Sequence, residues 1–243
     1  MSWGRNGFSA ALLIAVGAAA TTAAHAGVVV SASGPSAKTY PVGRKLADTD
    51  RIVLQAGDSI SVLDQRGTRV LRGAGTYTLA QQSGPSKSAT FAVLTRQRSA
   101  QRMRTGAVRA GDAGGPVSSP NLWYVDVGHS GNVCLPAADD VRLWRPTTEG
   151  GATYTIRPAG GGSSAQVSFG GGEMLAPWNA AALPLKDGSS FVISRPGVPD
   201  STVTFKVLGT VPTDAEALAE KLIEDDCSTQ LGLLSSTLRV DEG

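Results

Sequence analysis

Apolar and polar residues alternate with a period of two along much of this chain, most clearly over residues 51–80. Ile52 and Leu54 alternate with Val53 and Gln55, and Ile60 and Val62 alternate with Ser59 and Ser61. This period puts one set of side chains on one face, so both segments predict half-buried β-strands. Gly57-Asp58 marks a turn between them. Asp64-Gln65-Arg66-Gly67 joins a turn-type Asp to a Gly that can take positive φ, which predicts a hairpin. Residues 68–72 resume the strand, and Gly73-Ala74-Gly75 bends the chain into a fourth strand at Tyr77, Thr78 and Leu79.

The flanks extend the pattern. Residues 27–31 are a β-branched run that predicts a first strand, and residues 33–37 a turn. Residues 81–88 read as a polar loop, and residues 89–96 as a strand with Phe91 and Val93 on one face. Residues 106–120 are rich in Gly, Ala, Ser and Pro, the composition of a linker. Beyond it, Leu122-Trp123-Tyr124-Val125 is apolar on both faces and predicts a central strand. Residues 133–135, 141–145, 153–157, 165–169, 191–195 and 203–208 are further short runs between turn residues. Seven such strands predict a sandwich or a partly open barrel.

The period changes at the C-terminus. Thr213 and Glu216 form a capping box, and Ala215, Leu218, Ala219, Leu222 and Ile223 share one helical face. That helix ends at Cys227, and Leu231, Leu234 and Leu238 mark a shorter one weakened by Gly232. The expected class is therefore mainly β. A β module over 27–96, a basic Gly/Ala/Pro-rich linker over 97–120 and a second β domain over 121–212 precede C-terminal helices over 213–243. Those helices are expected to pack on the second domain.

The first module resembles the FecR-like domain of bacterial envelope proteins. The residues that carry the resemblance are Pro41-Val42-Gly43, Asp50-Arg51-Ile52 and the run GDSISVLDQRGTRVLRGAGTYTL over 57–79. It covers residues 28–95. The resemblance implies a secreted all-β module that accompanies signalling or envelope proteins and has no catalytic residues of its own.

The N-terminus supports export independently. Arg5 supplies a positive n-region, residues 10–20 an apolar core and Ala24-His25-Ala26 an A-x-A cleavage site, so residues 1–26 read as a signal peptide. The apolar core falls short of the roughly 20 residues that span a bilayer. Cleavage would leave 217 of the 243 residues, more than one typical domain. The expected location is periplasmic or secreted. The two cysteines, Cys134 and Cys227, then favour a disulfide, the alternative being two buried thiols. Two Cys and one mature His are too few for a metal site, and no cofactor is expected.

Charge is unevenly distributed although the whole chain carries only +2. Residues 65–111 contain no Asp or Glu but nine basic residues: Arg66, Arg69, Arg72, Lys87, Arg96, Arg98, Arg102, Arg104 and Arg109. Residues 214–242 carry eight acids against Lys221 and Arg239. The basic stretch could attract an anionic envelope polymer or an acidic envelope protein, with Arg96, Arg98, Arg102, Arg104 and Arg109 as the contact residues. A solvated face, or docking onto the chain's own acidic C-terminus, is the plainer alternative. Nucleic acid is not an expected partner, because no aromatic stacking motif interleaves the Arg residues.

Several motifs look like chemistry and fail on inspection. Gly111-Asp112-Ala113-Gly114-Gly115-Pro116 resembles the nucleophile segment of trypsin-like proteases, but Ala113 stands where the serine belongs, and His25 lies in the leader. Gly128-His129-Ser130-Gly131-Asn132 approaches a nucleophile elbow, yet a strand and not a helix follows it. Asp126, His129 and Ser130 are close in sequence, and a strand-turn placement is expected to scatter them. Gly160-Gly161-Gly162 and Gly170-Gly171-Gly172 precede no helix and read as hairpin connections. Asp139-Asp140 and Asp225-Asp226 are adjacent carboxylates without an assignable acid and nucleophile. Trp123, Trp144 and Trp178 either fill a core or gather on a sugar-binding surface. The reading is a non-enzymatic exported binding or interaction module in envelope signalling or scaffolding. The alternatives are a glycan-binding or glycan-processing domain in 121–212, or an assembly subunit that pairs through edge strands.

Overall fold

The computed structural model describes residue 1 and residues 25–80, 86–96 and 118–240. Among these, strands dominate, as the alternation predicts. The first unit contains β1 (His25–Ser33), β2 (Lys45–Ala47), β3 (Arg51–Leu54), β4 (Ser59–Asp64), β5 (Gly67–Arg72) and β6 (Gly75–Thr78). Its main sheet is antiparallel in the order β2-β1-β4-β5, and β3 pairs with β6 as a separate ribbon. The four strands expected over 51–80 are all present. The β4–β5 hairpin closes on two residues, with Asp64 opposite Gly67, whose φ is +140°. Asp64 Oδ1 accepts from the amides of Arg66 (2.8 Å) and Gly67 (3.1 Å).

The expected half-exposure of β4 is not found. From Ile60 to Asp64 every residue is buried, Ser61 included. Ile60 and Val62 face Leu46, Ile52, Leu54 and Leu71, while Leu63 faces the opposite way with Val28 and Val30. Both faces are covered, so alternation here separates two cores and not core from water.

Residues 89–96, read above as a strand, belong instead to helix α1 (Ser88–Thr95). Phe91 and Leu94 are its buried residues and Val93 is exposed. The relevant spacing was i, i+3, which a short segment with three apolar positions does not distinguish from alternation.

The second unit contains β7 (Tyr124–Asp126), β8 (Gly131–Leu135), β9 (Arg142–Trp144), β10 (Ala152–Pro158), β11 (Ala165–Phe169), β12 (Leu175–Pro177), β13 (Ser190–Arg195) and β14 (Val198–Val207). A five-stranded sheet runs β11-β10-β13-β14-β8 and a three-stranded sheet runs β12-β9-β7; neither closes into a barrel. They share a core of aliphatic residues with Trp178, Phe191 and Phe205, whose rings meet edge to face at 4.9–5.9 Å. Leu122-Val125 does not form a central strand. Leu122 and Trp123 precede β7, an edge strand, and enter the helical core described next. β12 was not expected; it is an edge strand, where Pro177 is tolerated. Gly170-Gly171-Gly172 accordingly leads from one sheet to the other and makes no hairpin.

Helices α2 (Ala215–Glu224) and α3 (Ser228–Thr237) complete the fold. The cap of α2 is Asp214 and not Thr213: Asp214 Oδ1 accepts from the Ala217 amide at 2.8 Å. These helices do not rest on the second unit alone. Leu218, Ala219, Leu222, Leu231, Leu234 and Leu238 share one core with Val28, Val30 and Leu63 of the first unit and with Leu122, Trp123 and Cys134 of the second. The outward apolar face of β1 and β4 needs this cover. Lys45 and Glu220 add an ion pair at 2.8 Å, and Thr68 exchanges backbone bonds with Leu238 (2.8 Å) and Val240 (3.0 Å).

Candidate functional site

A cleft of about 250 Å³ opens between the β7–β8 connection and one side of α3. Its apolar walls come from Leu122, Val133 and Leu233, and Tyr124 lines it as well. Asp126, His129, Ser130 and Asn132 supply the polar end, facing Thr229 and Ser236 on the helix.

The strand-to-strand turn builds that polar end. β7 stops at Asp126, whose Oδ1 accepts from the Gly128 amide at 2.8 Å. This Asx-type turn brings Oδ2 to 2.8 Å from His129 Nδ1. Gly131 then opens β8 at a φ of +132°, a conformation that favours Gly. Ser130 Oγ accepts from the Thr202 amide at 3.0 Å and fixes the turn to β14. Thus Asp126 and His129, expected to scatter, are brought together, and Ser130 is directed elsewhere.

The helical wall is held from behind. Cys134 and Cys227 form the expected disulfide, with Cα atoms 5.9 Å apart. Buried Gln230 accepts from the Cys134 amide through Oε1 (2.6 Å) and donates through Nε2 to the carbonyls of Leu122 and Cys134 (2.8 Å each). Three backbone groups left open beside β8 and β7 are satisfied by this one side chain. Asn132 Nδ2 donates to the Asp225 carbonyl at 2.9 Å. Gly232 faces open space, with no atom within 4 Å of where a Cβ would stand. The small residue keeps the helix from filling the cleft.

Chemically, the lining carries one carboxylate and one imidazole, and neither Lys nor Arg. The carboxylate orients the ring and leaves Nε2 available. Among the described residues no hydroxyl is hydrogen-bonded to that nitrogen.

The other residues singled out in the sequence fall away from this cleft or outside the described residues. Arg96 is exposed at the end of α1, and its carbonyl accepts from Asn121 Nδ2 at 3.0 Å. Arg98, Arg102, Arg104 and Arg109, the Gly111–Pro116 motif and most of the leader lie outside the described residues. Arg69, counted above in the basic stretch, is buried against Asp64 at 2.7 Å and is no part of a solvated face. Trp123, Trp144 and Trp178 are all buried, so the proposed aromatic sugar surface does not exist. Trp123 Nε1 donates to the Thr95 carbonyl and Trp178 Nε1 to the Leu183 carbonyl. Asp140 pairs with Arg142, and Asp225 with Lys221, which removes both carboxylates from any acid–nucleophile pair. No helix among the described residues is long and apolar enough to cross a membrane, and no three of their His, Cys, Asp or Glu side chains converge on a metal position.

Gln230, Thr229, Gly232 and Ser236 were not foreseen. Their one signal was the polar and Gly interruption of an otherwise Leu-rich segment. Comparison with protein-family models, with curated proteins and with solved structures gives no match.

Proposed function

We propose that this protein is an exported, non-catalytic recognition module of the bacterial cell envelope, acting in signalling or scaffolding. Its partner, an envelope protein or an anionic envelope polymer, engages the cleft between α3 and the β7–β8 turn. The observation that carries this reading is the cleft itself. Apolar walls and a few fixed polar groups in a concave site are what recognition requires. The disulfide behind it supports an oxidising compartment. The nine basic residues of 65–111 support an anionic partner by long-range attraction.

The test is crosslinking of the mature protein to intact envelopes, with Gly232→Leu as the comparison. The leucine would occupy the cleft, and replacing a helical Gly favours the helix by up to about 1 kcal/mol. A partner captured by the natural chain and reduced at least tenfold with Gly232→Leu is the expected result. Equal capture by both proteins would remove the cleft from the reading.

A further inference from the structure

The cleft is too small for an extended polymer, lying below the roughly 300 Å³ at which typical ligand sites begin. It has room for one ring-sized unit. No Lys or Arg lines the space, and Asp126 supplies its one carboxylate. A carboxylate or phosphate entering it would lose water and gain no counter-charge. The first turn of α3, at Thr229, is the one feature that favours an anion, and its helix-end field is modest.

His129 sets the hydrogen-bonding polarity. With Nδ1–H donated to Asp126, Nε2 is an acceptor whenever it carries no proton. A hydroxyl can donate to it, whereas a carboxylate has no proton to give. Thr229 has no hydrogen bond among the described residues and can serve a second hydroxyl. Val133, Leu233 and the ring of Tyr124, all half-buried, suit the apolar face that a sugar ring presents.

We infer that the cleft binds a single uncharged, hydroxyl-bearing ring of monosaccharide size, with one hydroxyl donating to His129 Nε2 and the apolar face against Val133, Leu233 and the ring of Tyr124. This rests on the cleft being the recognition site.

The experiment is an NMR titration of the full mature protein with methyl glucoside and with methyl glucuronide, which differ by one carboxylate for a CH₂OH. The glucoside is expected to shift the His129 ring nitrogens and the Val133 and Leu233 methyls. The glucuronide is expected to bind at least about fivefold more weakly, the effect of one uncompensated charge near Asp126. His129→Ala, at an exposed position, is expected to weaken the glucoside about fivefold, the worth of one hydrogen bond. The unchanged methyl spectrum of the free variant would show its fold intact.

Equal or tighter binding of the glucuronide overturns the ligand class, as does unchanged glucoside affinity in His129→Ala. Absence of any shift with either sugar overturns it too. If envelope capture still responds to Gly232→Leu in those cases, the cleft remains the recognition site and only its ligand has been misassigned. If capture does not respond either, both readings fall.

Discussion

Single buried polar residues decide much of this fold. Arg69 and Asp64 pair at 2.7 Å with both side chains almost wholly buried. Arg69 also donates to the Leu79 carbonyl at 3.1 Å and so ties the hairpin to the chain that follows it. Arg69→Ala would leave Asp64 buried without its counter-charge, and a loss of about 3–5 kcal/mol is expected in urea denaturation. Asp58 works by a different balance. Burial pushes its carboxyl up, but the bonds it accepts from Ser36 and Gln55 outweigh that and hold it below its ordinary range. A carboxyl lowered on folding adds stability above its unfolded pKa and loses it as pH falls through the folded value. Denaturation midpoints are therefore expected to drop below about pH 4, and to drop less in Asp58→Asn. None of this is visible in alternation. Arg145 illustrates why: the last residue of the run 141–145, it is buried and donates to the carbonyls of Gly150, Gly170 and Glu173. Only the folded turns bring those carbonyls to one guanidinium.

At the scale of elements, local turn chemistry was legible and long-range cover was not. Asp64 and Gly67 close their hairpin as the residues require, and β11 spans Ala165–Phe169 as the spacing predicts. The nature of residues 88–95 and the second face of β4 depend on what packs against them from far along the chain, which no local period encodes. The cleft was half legible: Asp126 and His129 stood out in sequence, whereas its α3 wall is about a hundred residues away. Helix α2 carries a testable electrostatic consequence. Burial first, then the neighbouring charges of Glu220, Asp214 and Asp64, push the Glu216 carboxyl up, with Lys45 opposing. A raised carboxyl contributes stability below its unfolded pKa and loses it as pH rises through the folded value, opposite in sign to Asp58. Glu216→Gln is expected to stabilise the protein at neutral pH by about 0.2–0.5 kcal/mol, the size of a like-charge pair one turn apart. Thermal melts at pH 7 and pH 4 check it, with the gain shrinking at the lower pH.

Over the whole molecule, the disulfide joins β8 to the start of α3 across 93 residues. The chain-entropy relation gives about 4–5 kcal/mol for a loop of this length. Replacing both cysteines by alanine is expected to lower stability by that order and to weaken ligand binding, because α3 forms a wall of the cleft. Denaturation and the glucoside titration read the two effects separately. The shared helical core has another outcome: the two β units should melt together, in one transition, and not as independent domains. That same core sets an order of events during biogenesis. Val28, Val30 and Leu63 receive their cover from residues 215–240, which are synthesised long after them. Until then the early strands carry a bare, sticky surface, and the C-terminal strap at Thr68 cannot fasten. A ribosome stalled before Asp214 would thus hold a nascent chain that chaperones retain and proteases cut.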